Sequence, residues 1–155
     1  MIRAIFPGSF DPFTLGHADI VERALTLFSH IVIAVGDNEQ KKGWIPVGER
    51  VRALREFYKN EPRISVEQYN TLTVDFAKTQ DARFILRGVR SHKDYEYELQ
   101  MAEINRELSP DIETVVLFTA SELSSLSSSM VRELAHFGRD IRNWLPKGLK
   151  YNLPS

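Results

Sequence analysis

Five short apolar runs alternate along the chain with longer stretches of helical periodicity, and this alternation constrains the fold more than any other feature. The runs cover residues 2–6, 31–35, 64–69, 84–86 and 114–118. Residues 31–35 are wholly apolar and mostly β-branched, which is typical of a strand that is covered on both faces. Strands that alternate with helices favour a parallel sheet with helices packed against it.

The stretches between these runs predict the helices. Apolar residues recur at helical spacing over residues 16–28, 51–57, 74–80 and 95–108, and a further helix is predicted to begin near Met130. Thr73 is placed to cap the third helix, and residues 141–153 predict a helical turn or two interrupted by Pro146. The predicted fold class is α/β: a Rossmann-like, doubly wound, five-stranded parallel sheet with helices on both faces.

Length and composition indicate one domain that spans residues 1–155. The chain has 20 Lys and Arg residues against 21 Asp and Glu residues, so it lacks the basic excess of a protein that coats nucleic acid. It contains no cysteine, which excludes disulfides, thiolate metal sites and cysteine nucleophiles. Residues 1–8 do not have the pattern of a signal peptide and no apolar run is long enough to span a bilayer, so we expect a cytoplasmic protein without a membrane partner.

The unusual polar residues all follow predicted strands. In an open parallel sheet, ligands bind outside the carboxyl ends of the strands, so these residues are expected to meet at one edge. They are residues 8–17, then Lys41 and Lys42, then Thr71, Leu72 and Thr73, then Arg87, Gly88 and Arg90, and finally Ser127, Ser128, Ser129 and Arg132.

This predicted edge has the character of a polyphosphate site. It combines an imidazole with four cationic side chains that could converge there, Lys41, Arg87, Arg90 and Arg132. Two turns also place glycine or serine beside helix N-termini, which attract anions. Nucleotidyl transfer depends mainly on positioning and on the neutralisation of charge. The glycine-rich loop of P-loop proteins is absent from the sequence.

Each feature also has a simpler interpretation when it is taken alone. His17 is compatible with a helix cap, and Lys41 with Lys42 is compatible with a solvated pair. The arginines after the fourth strand are close enough in sequence to pair with Asp94 or Glu98 on the next helix. The coincidence of all these features at one edge favours the polyphosphate site.

Two segments resemble a known superfamily. Residues 8–17, Gly-Ser-Phe-Asp-Pro-Phe-Thr-Leu-Gly-His, are similar to the first signature of the cytidylyltransferase-like superfamily, which ends in His-x-Gly-His or Thr-x-Gly-His. Residues 126–132, Leu-Ser-Ser-Ser-Met-Val-Arg, are similar to its second signature, Ile-Ser-Ser-Thr/Ser-x-x-Arg. Both signatures occur in order and at the predicted edge.

The resemblance is closer to one branch, the bacterial phosphopantetheine adenylyltransferase family. Residues 86–90, Leu-Arg-Gly-Val-Arg, are similar to that family's Ile-Arg-Gly-Leu-Arg, and residues 94–102 with Asn105 and Arg106 resemble its next helix. The pair Lys41 and Lys42 and residues 49–51 also fit, so the resemblance covers nearly the whole sequence.

The resemblance implies a reaction, its partners and an assembly. Enzymes of this family transfer the adenylyl group of ATP to 4′-phosphopantetheine and release dephospho-coenzyme A and pyrophosphate, by direct in-line attack without a covalent enzyme intermediate. Mg²⁺ is expected to be bound mainly through substrate phosphates, with no metal site made by the protein itself. The resemblance further implies coenzyme A as a candidate inhibitor, a homohexamer, and no nucleic-acid partner.

The resemblance also implies a role for each candidate residue. The catalytic roles fall to His17, Lys41 and Arg90, and His17 is expected to donate a hydrogen bond to the α-phosphate of ATP. The phosphopantetheine would contact Ser9, Lys41, Leu72, Thr73 and Arg87. The nucleotide would contact Ser9, Phe10, His17, Gly88, Val89, Arg90, Glu98, Leu123, Ser124, Ser125, Leu126, Ser127, Ser128 and Ser129. Arg132 would orient the loop formed by residues 123–129.

Two segments depart from the family pattern. Residues 124–126, Ser-Ser-Leu, stand where an aromatic residue and Ser-Phe-Ile are expected, and residues 43–48, Gly-Trp-Ile-Pro-Val-Gly, replace the usual approach to the second helix.

Three alternatives to the adenylyl transfer stay open: a nucleotidyltransferase for another phosphorylated acceptor, a nucleotide-binding sensor without turnover, and a flavodoxin-like binder.

Overall fold

The strands form one parallel sheet in the order β3-β2-β1-β4-β5, in a computed structural model that describes residues 1–40 and 42–152. The strands are β1 (Arg3–Gly8), β2 (His30–Gly36), β3 (Ile64–Tyr69), β4 (Phe84–Val89) and β5 (Glu113–Phe118). The helices are α1 (Leu15–Ala24), α2 (Val47–Phe57), α3 (Thr73–Thr79), α4 (His92–Leu108) and α5 (Ser128–His136), with short 3₁₀ turns at Ser121–Leu123 and Arg142–Trp144. The predicted α/β class and its five-stranded parallel sheet are confirmed.

Helices cover both faces of the sheet, as predicted. On one face, Val21 of α1 and Leu54 of α2 pack against Ile33 and neighbouring strand residues. On the other face, Phe76 of α3 packs against Val32 and other side chains that point the opposite way. Alternating side chains of the central strands are therefore buried on both faces, which explains why β2 is apolar without interruption.

Several element bounds differ from the prediction. The strand β1 continues through Gly8 and β4 through Val89, because the ladders with β2 and β5 extend past the residues that were expected to end them. The helix α4 begins at His92, after Ser91 caps it by accepting a hydrogen bond from the backbone N–H of Asp94. The helix α1 ends at Ala24 rather than Phe28, and α2 begins earlier than predicted, at Val47.

The prediction that Thr73 caps α3 is wrong. Leu72 occupies the N-cap position and makes no side-chain capping hydrogen bond, while Thr73 is already the first residue of the helix. The Thr73 hydroxyl lies 3.3 Å from the hydroxyl of Tyr69 instead. Its side chain is therefore directed towards the end of β3, where the functional residues were expected.

The sheet opens between β1 and β4 at Pro7. These two strands pair only at Ala4 with Phe84 and at Ile5 with Ile85, although both strands continue further. The carbonyl of Pro7 points towards β4 and accepts a hydrogen bond of 2.5 Å from Arg87 Nη1. Because proline has no backbone N–H, β1 cannot continue the ladder with β4 at this position. The strand order reverses at this gap, which is where a doubly wound sheet binds its ligand.

Candidate active site

Two adjoining cavities open at the carboxyl edge of the sheet, around the gap between β1 and β4. The larger cavity, of about 750 Å³, lies between the ends of β2 and β3 and one face of α4. The smaller cavity, of about 340 Å³, lies between the start of α1 and the start of α5. The two cavities share four lining residues at their junction: Pro7, Gly8, Ser9 and Arg87.

His17 lies in the smaller cavity as a neutral imidazole. It occupies the third position of α1, and its Nδ1 accepts a hydrogen bond of 2.9 Å from the backbone N–H of Thr14. Burial, followed by the positive charges of Arg87 and Arg90, lowers the pKa of His17 from 6.5 to about 4. Since Nδ1 is an acceptor in the neutral ring, the proton is carried by Nε2. His17 therefore has one N–H donor that is not used by the Thr14 backbone.

The ring of His17 is held in place by aromatic neighbours. The centroid of Phe10 lies 5.0 Å away with the two planes at 90°, and that of Phe13 lies 5.3 Å away. Phe10 adopts a positive φ of 49°, which turns the chain directly after Ser9. The first signature therefore folds into a rigid aromatic support for the imidazole.

Arg87 lies at the junction and is fixed by a carboxylate and a carbonyl. Its Nε and Nη2 donate to Glu98 at 2.8 and 2.7 Å, and its Nη1 donates to the carbonyl of Pro7. The ion pair with Glu98 was one of the simpler interpretations of the sequence, and the structure contains it. Arg87 nevertheless lines both cavities, so the pair holds a positive charge between them.

The second signature closes the opposite wall of the smaller cavity. Ser127 caps α5 by accepting from the backbone N–H of Met130 at 3.1 Å, and Ser128 donates to the carbonyl of Pro12 at 2.7 Å. Arg132 donates to the carbonyl of Asp11 at 2.7 Å and to the hydroxyl of Ser129 at 3.1 Å. These bonds fix the start of α5 against the first signature, across more than a hundred residues of sequence.

The structure brings most of the predicted residues together. The smaller cavity is lined by Ser9, Phe10, His17, Gly88, Arg90, Leu126, Ser127, Ser128 and Ser129, and the larger by Ser9, Thr73 and Arg87. Glu98, which was predicted to contact the nucleotide, lines the larger cavity because α4 carries it to the Arg87 guanidinium.

Other predicted residues lie elsewhere. Leu72 is 59% exposed and lines neither cavity, and Val89 is buried in the sheet without lining them. Leu123, Ser124 and Ser125 lie in and beside a 3₁₀ turn outside both linings, so only the second half of the predicted nucleotide loop borders the smaller cavity. Lys41 lies outside the described residues.

The sequence analysis missed several lining residues. Asp37, Asn38, Glu39 and Gln40 follow β2 directly, and Tyr69 ends β3, so the rule that ligands bind at strand ends predicts them. On α4 the lining residues are Tyr97, Glu98, Met101, Ala102 and Asn105, whose spacing of one, three, one and three residues defines one helix face. This helical spacing could have identified these residues from the sequence. Thr119, just after β5, also lines the smaller cavity.

Residues 1–40 and 42–152 contain no group of three or more His, Asp or Glu side chains arranged to hold a metal ion. No helix within the same ranges is long and apolar enough to cross a membrane.

The cleft and its two signatures define a class of protein. The sequence model of the family described as cytidylyltransferase-like matches residues 5–134, which include both signatures, most of β1 and the whole of the other four strands. The chain belongs to this family, and it is a nucleotidyltransferase.

Curated relatives narrow the class to one group. The chain is 53% identical over 150 residues to a phosphopantetheine adenylyltransferase of Bacteroides fragilis, covering 97% of this chain and 99% of the relative. It is 51% identical to the protein of that name from Phocaeicola vulgatus, with 97% and 99% covered, and 45% identical to that from Thermosynechococcus vestitus, with 97% and 89% covered. The chain is thus a member of the phosphopantetheine adenylyltransferase family.

Proposed function

We propose that this chain transfers the adenylyl group of ATP to 4′-phosphopantetheine, giving dephospho-coenzyme A and pyrophosphate. The observation that carries the proposal is the pair of adjoining cavities that share Ser9 and Arg87. Two separate substrates can then meet at one junction, as a direct transfer between them requires. The names of the relatives supply the two substrates.

The smaller cavity suits the phosphates of ATP. It presents the Nε2–H of His17, the guanidinium of Arg90 and the N-terminal end of α5, whose N-cap residue is Ser127. Helix N-termini carry free backbone N–H groups and a positive dipole end, and both favour bound phosphate. We therefore assign the nucleotide to this cavity, with the serine-rich wall over its phosphates.

The larger cavity suits the acceptor. Its wall is long and mixed in polarity, with Asn38, Gln40 and Asn105 as amide groups and Met101 as an apolar contact. A pantetheine arm also alternates amides with short apolar segments, so the wall matches its chemistry. Arg87 at the junction is placed to hold the phosphate end of the arm. Lys41 stays a predicted second contact to that phosphate.

The proposed step is an in-line displacement at the α-phosphorus. An oxygen of the phosphopantetheine phosphate forms a bond to the α-phosphorus of ATP while the bond to the bridging α,β-oxygen breaks, and pyrophosphate leaves with that electron pair. The phosphate is already an anionic nucleophile, so no general base is required. His17 remains neutral near pH 7 because its pKa is about 4, and it donates Nε2–H to the α-phosphate as charge develops.

Mg²⁺ is proposed to enter with ATP. The polar side chains that line the smaller cavity are mainly cationic or hydroxyl groups, which fit phosphate oxygens, and the Asp94 carboxylate there is paired with Arg90 at 3.4 Å. The phosphate oxygens are therefore proposed as the main ligands of the ion. When bound, the ion would neutralise phosphate charge.

The assembly and regulation remain proposals as well. The helix α4 exposes Tyr97, Leu99 and Ile104, each at least 45% accessible, and Phe118 at the end of β5 is 72% accessible. Exposed apolar groups on neighbouring elements favour an interface, and we propose that they join copies of the chain in a homohexamer. Light scattering measures the mass directly. Inhibition by coenzyme A and a cytoplasmic location are further predictions.

Pyrophosphate release from the purified protein tests the function. The protein is incubated with ATP, Mg²⁺ and 4′-phosphopantetheine, and parallel reactions contain CTP or nicotinamide mononucleotide in place of one substrate. We expect release that requires both ATP and phosphopantetheine. Release only with another pair would replace the proposed donor or acceptor but keep the transfer chemistry. Absence of release from folded, ATP-binding protein would favour a sensor.

A further inference from the structure

Among residues 1–40 and 42–152, Asp11 and Arg50 are the buried charged residues that the proposed reaction does not use. They are 6% and 5% exposed, and neither lines the larger or the smaller cavity. A buried charge is costly unless its hydrogen bonds are satisfied. The partners of these two side chains therefore indicate what the burial achieves.

Both side chains bind the connection between β2 and α2. This connection supplies Asp37, Asn38, Glu39 and Gln40 to the larger cavity. At its start, Arg50 Nη1 donates to the carbonyl of Gly36 at 3.2 Å.

At the end of the same connection, the Asp11 carboxylate accepts two backbone N–H groups. Trp44 donates to Oδ2 at 2.7 Å and Ile45 donates to Oδ1 at 2.8 Å, while Arg50 Nε donates to the carbonyl of Ile45 at 2.8 Å. Both ends of the connection that carries the cavity wall are thus fixed by one pair of side chains, here called the clasp (Asp11 and Arg50).

The clasp also connects this wall to the junction of the two cavities. Arg50 Nη1 also donates to the carbonyl of Ser9 at 2.6 Å, and Ser9 lines both cavities. A planar guanidinium with several donors in fixed directions can hold three carbonyls at set distances, which a lysine cannot do. The distance between the wall and Ser9 is therefore set by one buried side chain.

Gly43 makes this close approach possible. A Cβ atom added there would lie 3.0 Å from Asp11 Oδ2, 3.1 Å from Arg50 Nη2 and 3.2 Å from the carbonyl oxygen of Ile45. Such contacts are tighter than ordinary packing, so the clasp would have to shift by a few tenths of an ångström. The departure from the family pattern over residues 43–48 thus begins with a residue that packs directly on the clasp.

We propose that Asp11 and Arg50 are positioning residues for the acceptor substrate. They hold the wall formed by Asp37, Asn38, Glu39 and Gln40 at the separation from Ser9 that the phosphopantetheine arm requires. The inference rests on the proposed function, because it takes the larger cavity as the acceptor site. It assigns the clasp no contact with either substrate.

Two matched glycine variants test the proposal. Gly43→Ala adds a Cβ against the clasp, whereas Gly48→Ala adds one where nothing lies within 4 Å, only five residues further along. We expect Gly43→Ala to raise the KM for phosphopantetheine about tenfold, since the loss of about one hydrogen bond between the displaced wall and the arm weakens binding by that factor. Because such a contact is the same in the ground state and the transition state, the kcat and the KM for ATP should change less than about twofold, and Gly48→Ala should leave all three unchanged.

Asp11→Asn provides a second variant of nearly the same volume. Its side chain keeps one acceptor oxygen and directs an N–H₂ group at the other backbone N–H, so it should raise the phosphopantetheine KM in the same way. An unchanged phosphopantetheine KM in Gly43→Ala would overturn the proposal, as would an equal rise in the ATP KM, because general loss of structure affects both substrates.

Amide exchange separates this inference from the proposed function. In Gly43→Ala the backbone N–H groups of Trp44 and Ile45 should exchange with solvent faster than in Gly48→Ala. If the wild-type protein releases no pyrophosphate, the proposed function fails, and the clasp is then decided by this comparison. Equal exchange in the two variants would show that Asp11 does not hold these amides.

Discussion

The two ring nitrogens of His17 have different partners, and two substitutions separate their contributions. Nδ1 accepts from the backbone of Thr14, which is 2% exposed, while Nε2–H is proposed to donate to the α-phosphate. Removing the whole ring would combine two losses, because a buried N–H without a partner costs about 1–3 kcal/mol of stability. His17→Asn places its amide oxygen near the position of Nδ1 and offers no donor near that of Nε2.

His17→Gln serves as the matched partner of His17→Asn. A glutamine at the third helical position can reach back to the N-cap backbone, as in a capping box, and its amide group also supplies a donor. Loss of one donor to a transition state costs about 2.7–4 kcal/mol, or about a hundred- to a thousandfold in turnover. We expect that loss in His17→Asn and a loss of only about tenfold in His17→Gln.

The assay is the initial rate of pyrophosphate release at saturating ATP and phosphopantetheine. Urea unfolding of both variants is the control, and each should lose about 1 kcal/mol through its missing contacts with Phe10 and Phe13. Near-normal turnover in His17→Asn would refute the role of Nε2–H. Equal turnover in the two variants would show that a donor at this position is not what the reaction needs.

Three further predictions follow from the same site. Arg87→Ala is made together with Glu98→Gln, so that no unpaired carboxylate is left. Compared with Glu98→Gln alone, it should raise the phosphopantetheine KM in steady-state kinetics and leave the ATP KM nearly unchanged. The opposite pattern would mean that the two cavities are assigned to the wrong substrates. Arg132→Ala removes the bonds to Asp11 and Ser129 and should raise the ATP KM about tenfold, and an unchanged value would remove its role in holding the nucleotide wall. The folded pKa of His17, about 4, lies below its unfolded value of 6.5, so the unfolded state gains a proton first as the pH falls, and the free energy of unfolding should decrease by up to about 3 kcal/mol between pH 6.5 and pH 4. Urea unfolding across that range tests this, and His17→Asn should show a shallower decrease.

The sheet could be predicted from the sequence because burial on both faces leaves a local record. The apolar run of β2 and the helical spacing of α1 each follow from side chains that the fold must remove from water. The ends of β4 were harder, because Arg87 and Gly88 are a polar residue and a glycine that resemble a strand terminus. Their ladder with β5 continues regardless, and that pairing has no local signal.

The residues of the candidate site also differ in how far the sequence predicts them. The two signatures were found because each motif is contiguous in sequence, whereas Asp37, Asn38, Glu39 and Gln40, directly after β2, were missed because they match no motif. Arg50 was not singled out, since a charged residue on a helix normally faces solvent. Its hydrogen bonds to Ser9 and Gly36 connect residues 41 and 14 positions away, and only the folded chain shows that they are neighbours. Glu98 was predicted to contact the nucleotide, which stays a prediction, and the sequence did not show that α4 directs its carboxylate at the Arg87 guanidinium in the lining of the larger cavity.

The missing hydrogen on the nitrogen of Pro7 has a consequence for how permanent the cleft is. Many binding clefts are gaps between moving bodies, and they can close when the bodies approach. Here the opening follows from the covalent structure of Pro7, because its nitrogen carries no hydrogen that could bond β1 to β4 at this position. No rearrangement of side chains can supply that hydrogen bond. The gap between β1 and β4 therefore does not depend on bound substrate, and it should be present in the free protein.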